Sequence, residues 1–148
     1  MTAAKTSHKQ IFVNLPVKNI PATKQFFTGL GFDFNPQFSN DKGICMIVAE
    51  NIFVMLLDVE FYKTFTKKPI ADAFKSNEVL VCLSCDSRAH VDDLVTKAIA
   101  AGGTAPNAPR DHGFMYGHGF DDLDGHTWEL AYMDMSALPA DMSGGASA

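Results

Sequence analysis

The sequence is short of the features that mark membrane proteins, disulfide-rich domains and nucleic-acid-binding proteins. Its 148 residues include three cysteines, one tryptophan and 12 lysine or arginine residues, against 17 aspartate or glutamate residues. The longest apolar runs, such as Ile44–Ala49 and Ile52–Leu57, are far too short to span a bilayer. The basic residues are scattered and the net charge is −5, so no cationic surface for a phosphate backbone is expected. These absences argue against membrane insertion and against nucleic-acid binding.

The first ten residues are polar and lack the apolar centre of a signal peptide. We therefore expect a cytoplasmic protein with reduced thiols. Cys82 and Cys85 form a C-x-x-C pattern, but they fall in a strand-like run, where residues three apart point to opposite faces. That arrangement suits neither a redox pair nor a zinc site, and it predicts buried cysteines.

A β-α-β-β-β order of elements occurs twice along the chain. In the first half, alternation predicts a strand over 12–17, and helical spacing after a cap at Asn19 predicts a helix over 21–30. The other strands of that half are expected over 32–38, 44–49 and 52–57. The second half has a predicted strand over 80–85, a helix over 91–100, and strands near 104–108, 114–120 and 127–133.

These patterns predict an α+β protein with two modules. The expected segments are a first module over 10–58, a connecting helical segment over 59–77, a second module over 78–134 and a flexible tail over 135–148. Apolar residues make up 47% of the chain, which is enough for a core without a disulfide or a structural metal.

Three motifs accompany the two modules: Leu-Pro-Val-Lys-Asn-Ile at 15–20, Phe-Phe-x-x-Leu-Gly-Phe at 26–32 and Asp-Gly-His-Thr-Trp-Glu-Leu at 124–130. With these motifs the chain resembles the vicinal oxygen chelate superfamily, which includes glyoxalase I, bleomycin-resistance proteins and extradiol dioxygenases. Within it, Gly-Phe-Met-Tyr-Gly at 113–117 and Trp-Glu-Leu-Ala-Tyr-Met-Asp at 128–134 are similar to the "predicted lactoylglutathione lyase" group. The resemblance implies that the two modules form a curved mixed sheet around a ligand cleft, and that the protein is a homodimer.

The family's metal enzymes hold one divalent ion with four ligands, two from each module. The positions that correspond to those ligands are Phe12, Met55, Leu80 and Glu129. Only Glu129 carries a metal-binding group, so the resemblance implies no metal cofactor here. An unorthodox site is the alternative, although no i,i+4 or H-x-E spacing supports it; its ligands would be His112, His118, His126 and Glu129.

Taking these positions as inward-facing, strand alternation predicts which side chains line the cleft. The candidate ligand-binding residues are Phe12, Asn14, Met55, Leu80, Cys82, Tyr116 and Glu129. Their alternates, such as Leu15, Trp128 and Leu130, are expected to face the helices. An apolar cleft with few polar groups is typical of a small-molecule site, and a collapsed core without a ligand is the alternative.

Glu129 and His118 are the candidate catalytic residues. A carboxylate in an apolar cleft can act as a general acid or base, and it can equally be a structural hydrogen-bond acceptor. If Asp121 pairs with His126 across the turn, His118 lies opposite Glu129 on the same face, and a slip of one residue reverses this. The other acidic residues of this turn, Asp122 and Asp124, are expected to be solvated.

Three functions remain open at this stage. The first is a metal-independent protein that binds a small organic molecule, partly aromatic or cationic, in an apolar cleft. The second is an enzyme, a lyase or isomerase of the lactoylglutathione-lyase type in which Glu129 moves a proton, or a dioxygenase-like relative. The third is a structural or regulatory dimer without a ligand.

Overall fold

Each half of the chain folds into a four-stranded mixed sheet with a helix on one face, in the order β-α-β-β-β. The computed structural model describes residues 6–137, and the chain divides into two units, the first ending at Ile70 and the second beginning at Ala71. This order confirms the α+β class predicted from the repeat. In the predicted tail, residues Met135–Ala137 form one 3-10 turn and 138–148 lie outside the described residues.

The first unit contains four strands that form its sheet, one helix that packs on that sheet and one short helix that follows the last strand. They are β1 (Ile11–Val17), α1 (Ile20–Gly29), β2 (Asp33–Phe34), β3 (Gly43–Ala49), β4 (Ile52–Asp58) and α2 (Val59–Tyr62). The strand order is β1-β4-β3-β2, with β1 parallel to β4 and the other neighbours antiparallel.

Helix α1 begins where the sequence predicts, because the Asn19 side chain accepts a hydrogen bond of 3.0 Å from the Ala22 amide. Gly31 follows its last turn with φ +101°, a conformation that favours glycine. The helix buries Phe26 and Phe27 against the sheet, on the face that also carries Val17. The local signals and the packing therefore agree.

The second unit repeats this plan. Its elements are β5 (Val81–Ser84), α3 (Arg88–Ala100), β6 (Arg110–Asp111), β7 (Met115–Asp121) and β8 (Thr127–Met133), and its strand order is β5-β8-β7-β6. The Ser87 hydroxyl caps α3 by accepting from the His90 amide at 3.0 Å. Phe120 and Trp128 stack in the core with ring centroids 6.2 Å apart. Among the described residues, no helix is both long and apolar enough to cross a membrane.

The predicted alternation of inward and helix-facing side chains is confirmed at three residues of β1 and β8. Leu15, Trp128 and Leu130 are buried on the helix-facing sides of their sheets. By contrast, Phe12 keeps 48% of its surface exposed, and Asn14 is exposed on the same face of β1.

Two predicted strands are wrong, and proline accounts for both. The strand expected over 32–38 is only β2, because Pro36 opens a 3-10 turn whose cap is Asn35. In place of the strand expected near 104–108, Thr104 makes a single bridge to Asp121, and the short β6 follows later. Prolines at 106 and 109 lack the amide hydrogens that a strand ladder needs. The helical segment expected over 59–77 is helical only in α2 and in the 3-10 turn Lys63–Phe65.

Candidate functional site

Glu129 lies in the middle of the sheet face of the second unit that points away from α3. Its neighbour in β5 is Cys82 and its neighbour in β7 is Gly119. The carboxylate is half-buried, and Oε2 would stand 3.3 Å from a Cβ atom built at Gly119. A glycine at that position therefore leaves room for the carboxylate above the sheet.

The Glu129 carboxylate forms no hydrogen bond or salt bridge within residues 6–137. The Glu129 charge acts on Cys82: the pKa of the Cys82 thiol is raised, mainly by burial and further by the negative charge of Glu129. Cys82 itself is exposed, whereas Cys85 is buried, so the prediction of buried cysteines is wrong for Cys82. The two predicted ligand-binding residues Glu129 and Cys82 are brought together.

His118 is not opposite Glu129, and that prediction is wrong. Asp121 pairs with Thr127 and not with His126, so His118 pairs with Leu130 and belongs to the other face of the sheet. Its Nε2 donates to the carbonyl oxygen of Asn107 at 2.9 Å. His118 still lines the same groove as Glu129, and its predicted catalytic role stays a prediction.

The turn between β7 and β8 is organised by Asp122. Its carboxylate accepts hydrogen bonds from the amides of Asp124 (2.9 Å) and His126 (3.0 Å), and from the indole nitrogen of Trp128 (2.9 Å). Only 5% of Asp122 is exposed, so the expectation of a solvated residue is wrong. Burial raises the pKa of Asp122, and the His126 charge and the Trp128 hydrogen bond oppose that rise. Asp122 thus fixes the register that places Glu129.

Tyr116 lies on the α3 side of the second sheet. Its hydroxyl donates to Asp92 of α3 at 2.5 Å, and the Arg88 guanidinium lies 5.1 Å from the ring centroid. Arg88 in turn donates to Asp111 at 2.6 Å and to the Gly113 carbonyl oxygen at 3.1 Å. These contacts tie β6 and β7 to the helix, and they place Tyr116 away from Glu129. Its role in ligand binding stays a prediction.

A shallow open groove runs beside Glu129, entirely within the second unit. Its enclosed space is about 30 Å³, room for roughly one or two water molecules. Gly117, Gly119 and Arg110 line it together with Glu129 and Thr127. Sequence analysis missed Arg110, because the segment before it was taken as the strand. The enclosed part of the groove has room for a polar end group, and the rest of an organic molecule would extend beyond it along the open side of the groove.

The candidate residues of the first unit also share one sheet face. Phe12 stacks on Phe53 with ring centroids 5.0 Å apart, and Asn14 is the register partner of Met55. Leu80, the last candidate, precedes β5 in the second unit and keeps 52% of its surface exposed.

The residues at the family's metal positions do not fit a divalent ion. Phe12 and Leu80 have hydrocarbon side chains, and Met55 has only a thioether, so Glu129 alone supplies an oxygen ligand. Across 6–137, no group of three or more histidine, cysteine or acidic side chains is arranged to hold a metal. The unorthodox set of three histidines and Glu129 is not brought together.

Two βαβββ units, each with a helix on one face of its sheet, define a glyoxalase-type fold. Residues 9–130 match the family model described as Glyoxalase/Bleomycin resistance protein/Dioxygenase superfamily. The chain belongs to this superfamily, and the resemblance seen in its motifs is confirmed. No curated protein matches the sequence.

Solved structures share this fold at low sequence identity. The hypothetical protein SA1046 from S. aureus is 27% identical over 86% of this chain and 96% of that chain, with a TM-score of 0.73. A glyoxalase-related enzyme from Fulvimarina pelagi is 19% identical over 95% and 100%, with a TM-score of 0.73. A lactoylglutathione lyase from Agrobacterium tumefaciens is 16% identical over 82% and 91%, with a TM-score of 0.62. The last two show the fold alone.

Proposed function

We propose that this protein binds a small organic molecule without the divalent metal of its metal-dependent relatives, and that Glu129 is the main polar recognition group. The observation that carries the proposal is the half-buried Glu129 carboxylate, which has no hydrogen-bond or ion-pair partner among residues 6–137 and lines a groove. An unpaired carboxylate in a partly desolvated site favours a ligand that supplies a donor or a positive charge. The residues at the metal positions support metal independence.

An enzymatic function is the second candidate. The same unpaired Glu129 carboxylate is free to accept a proton from a bound substrate, as a lyase or isomerase of the lactoylglutathione-lyase type requires. We further propose a homodimer in the cytoplasm; the three free cysteines are compatible with a reducing compartment.

The test is a thermal-shift screen of the metal-free protein against a metabolite panel, with wild type and Glu129→Gln side by side. A ligand at a hundred times its Kd should stabilise the wild type by about 2.7 kcal/mol. The substitution keeps the shape and removes the charge, so the shift should shrink with no change in the melting temperature of the free protein. Asp41→Gln, an exposed carboxylate of the first unit, is the charge-matched control.

Two results would refute the binding proposal: no metabolite stabilises the protein, or stabilisation appears only after a divalent metal is added. Turnover distinguishes the second candidate. Conversion of a hemithioacetal substrate that disappears in Glu129→Gln, while ligand affinity is retained, would favour the enzyme.

A further inference from the structure

Two opposite charges share the groove of the second unit. Arg110 pairs with Gly117 across β6 and β7, and Gly117 pairs with Ala131 across β7 and β8. Glu129 is two residues from Ala131 along β8, so alternation puts the Arg110 and Glu129 side chains on the same face. Both residues line the groove.

Neither charge is paired. The guanidinium of Arg110, like the carboxylate of Glu129, has no hydrogen bond and no salt bridge within the part of the chain that the structure describes. Other charged groups close by are engaged: Arg88 binds Asp111, and Asp121 accepts from the Thr127 hydroxyl at 2.9 Å. The groove therefore offers one free cation and one free anion to a ligand.

The spacing suits a ligand that lies between these charges. Two strand spacings and two residues of rise separate the Cα atoms of Arg110 and Glu129 by about 12 Å. Gly117 and Gly119 line the groove between them and carry no side chains of their own. A molecule that crosses this part of the groove can contact both charges through side chains that reach inward from each end.

We propose that the groove recognises an amphoteric organic molecule, with an anionic group at Arg110 and an ammonium or other N–H donor at Glu129. This narrows the ligand class of the proposed function and rests on it. A planar guanidinium pairs well with a carboxylate. The negative charge of Glu129 would repel a purely anionic ligand, and the positive charge of Arg110 would repel a purely cationic one.

The experiment compares three probes of similar shape by titration calorimetry on the full chain: 4-(aminomethyl)benzoate, 4-methylbenzoate and 4-methylbenzylamine. The amphoteric probe should bind at least ten-fold more tightly than either probe with a single charge. Arg110→Gln should abolish its advantage over the amine, and Glu129→Gln its advantage over the benzoate. Lys67→Gln, an exposed cation of the first unit, should leave all three affinities unchanged.

Equal affinities for the amphoteric probe and a single-charge probe would overturn this inference, and so would an Arg110→Gln variant that binds like wild type. Absence of binding by all three probes would overturn it too. In each case a ligand found in the metabolite screen would leave the proposed function intact. A screen in which no metabolite binds would refute both the proposed function and this inference.

Discussion

Gly119 lies directly opposite Glu129 in the antiparallel ladder of β7 and β8, and a Cβ atom at Gly119 would make a tight contact of 3.3 Å with Glu129 Oε2. Gly117, the next residue of the same strand on the same face, lies opposite Ala131 and has no such neighbour. Strand β7 therefore carries one glycine with no room for a Cβ atom, Gly119, and one with room for it, Gly117.

We expect Gly119→Ala to destabilise the protein and Gly117→Ala to be tolerated. A Cβ atom at Gly119 would lie 2.6 Å from the Trp128 carbonyl oxygen and 3.3 Å from Glu129 Oε2, so the ladder must shift. At Gly117 the nearest atom is 3.5 Å away, an ordinary contact. Urea unfolding should show a loss of about 1–3 kcal/mol for the first variant and a change within about 0.5 kcal/mol for the second. Equal stabilities would contradict this account.

The sequence predicted those elements whose ends carry local signals. Asn19 and Ser87 cap their helices through side-chain oxygens, and Gly31 and Gly102 follow the helices with positive φ. The span of β8 was predicted without error, because its alternation is uninterrupted between a turn and Met133. These features depend on neighbours within a few residues, which a sequence displays directly.

The register of β7 and β8 could not be predicted in the same way. It depends on the Asp122 carboxylate, which closes a turn of five residues between the register partners Asp121 and Thr127. Alternation shows which residues share a face within one strand, but not how two strands align. The register error assigned His118 to the wrong face of the sheet. Arg110 was missed because a strand was predicted near 104–108, before the observed β6.

Asp122→Asn should destabilise the second unit, because one carboxylate accepts from three N–H donors there and an amide has only one acceptor oxygen. Leaving a buried donor unmatched costs roughly 1–3 kcal/mol. The single tryptophan, Trp128, is one of the three donors, so its fluorescence should change with the substitution. Asp41→Asn removes an exposed carboxylate and is the control. An Asp122→Asn variant as stable as wild type would show that the turn does not depend on this carboxylate.

The contact between Arg88 and Asp111 should make part of the free energy of unfolding depend on pH in the acidic range. The hydrogen bond from Arg88, and then the one from the Gly113 amide, lower the pKa of Asp111 below its ordinary value of 3.8. As pH falls through the interval between that ordinary value and the lower folded value, the unfolded chain binds a proton that the folded chain does not. The contribution is therefore complete above this interval and is lost as pH falls through it.

Denaturant unfolding of wild type and Arg88→Gln between pH 7 and pH 2.5 measures this contribution. The difference in stability should be constant near neutrality and should shrink below about pH 4. It should be small throughout, because the two side chains are 41% and 57% exposed. Lys67→Gln removes the same charge elsewhere, and a matching loss in that variant would attribute the effect to net charge.

We expect the protein to be a homodimer. β1 is an edge strand of its sheet, and it exposes 54% of Ile11 and 48% of Phe12, a combination that favours coverage by another chain. Light scattering at micromolar concentration should give twice the mass of one chain, and Ile11→Lys should shift the population toward monomer. A wild-type protein that is monomeric under these conditions contradicts the prediction.

The purified protein should contain far less than one equivalent of zinc, nickel, manganese or iron after dialysis. Three of the four positions that bind metal in the family's metal enzymes hold Phe12, Met55 and Leu80, and a single carboxylate at Glu129 is a weak ligand for a divalent ion. Elemental analysis gives the content, and melting curves with and without a chelator should coincide, because no metal-binding free energy is then coupled to folding. Glu129→Gln is the decisive comparison. If the wild type retains near-stoichiometric metal that this variant loses, Glu129 is a metal ligand and the metal-independent site is disproved.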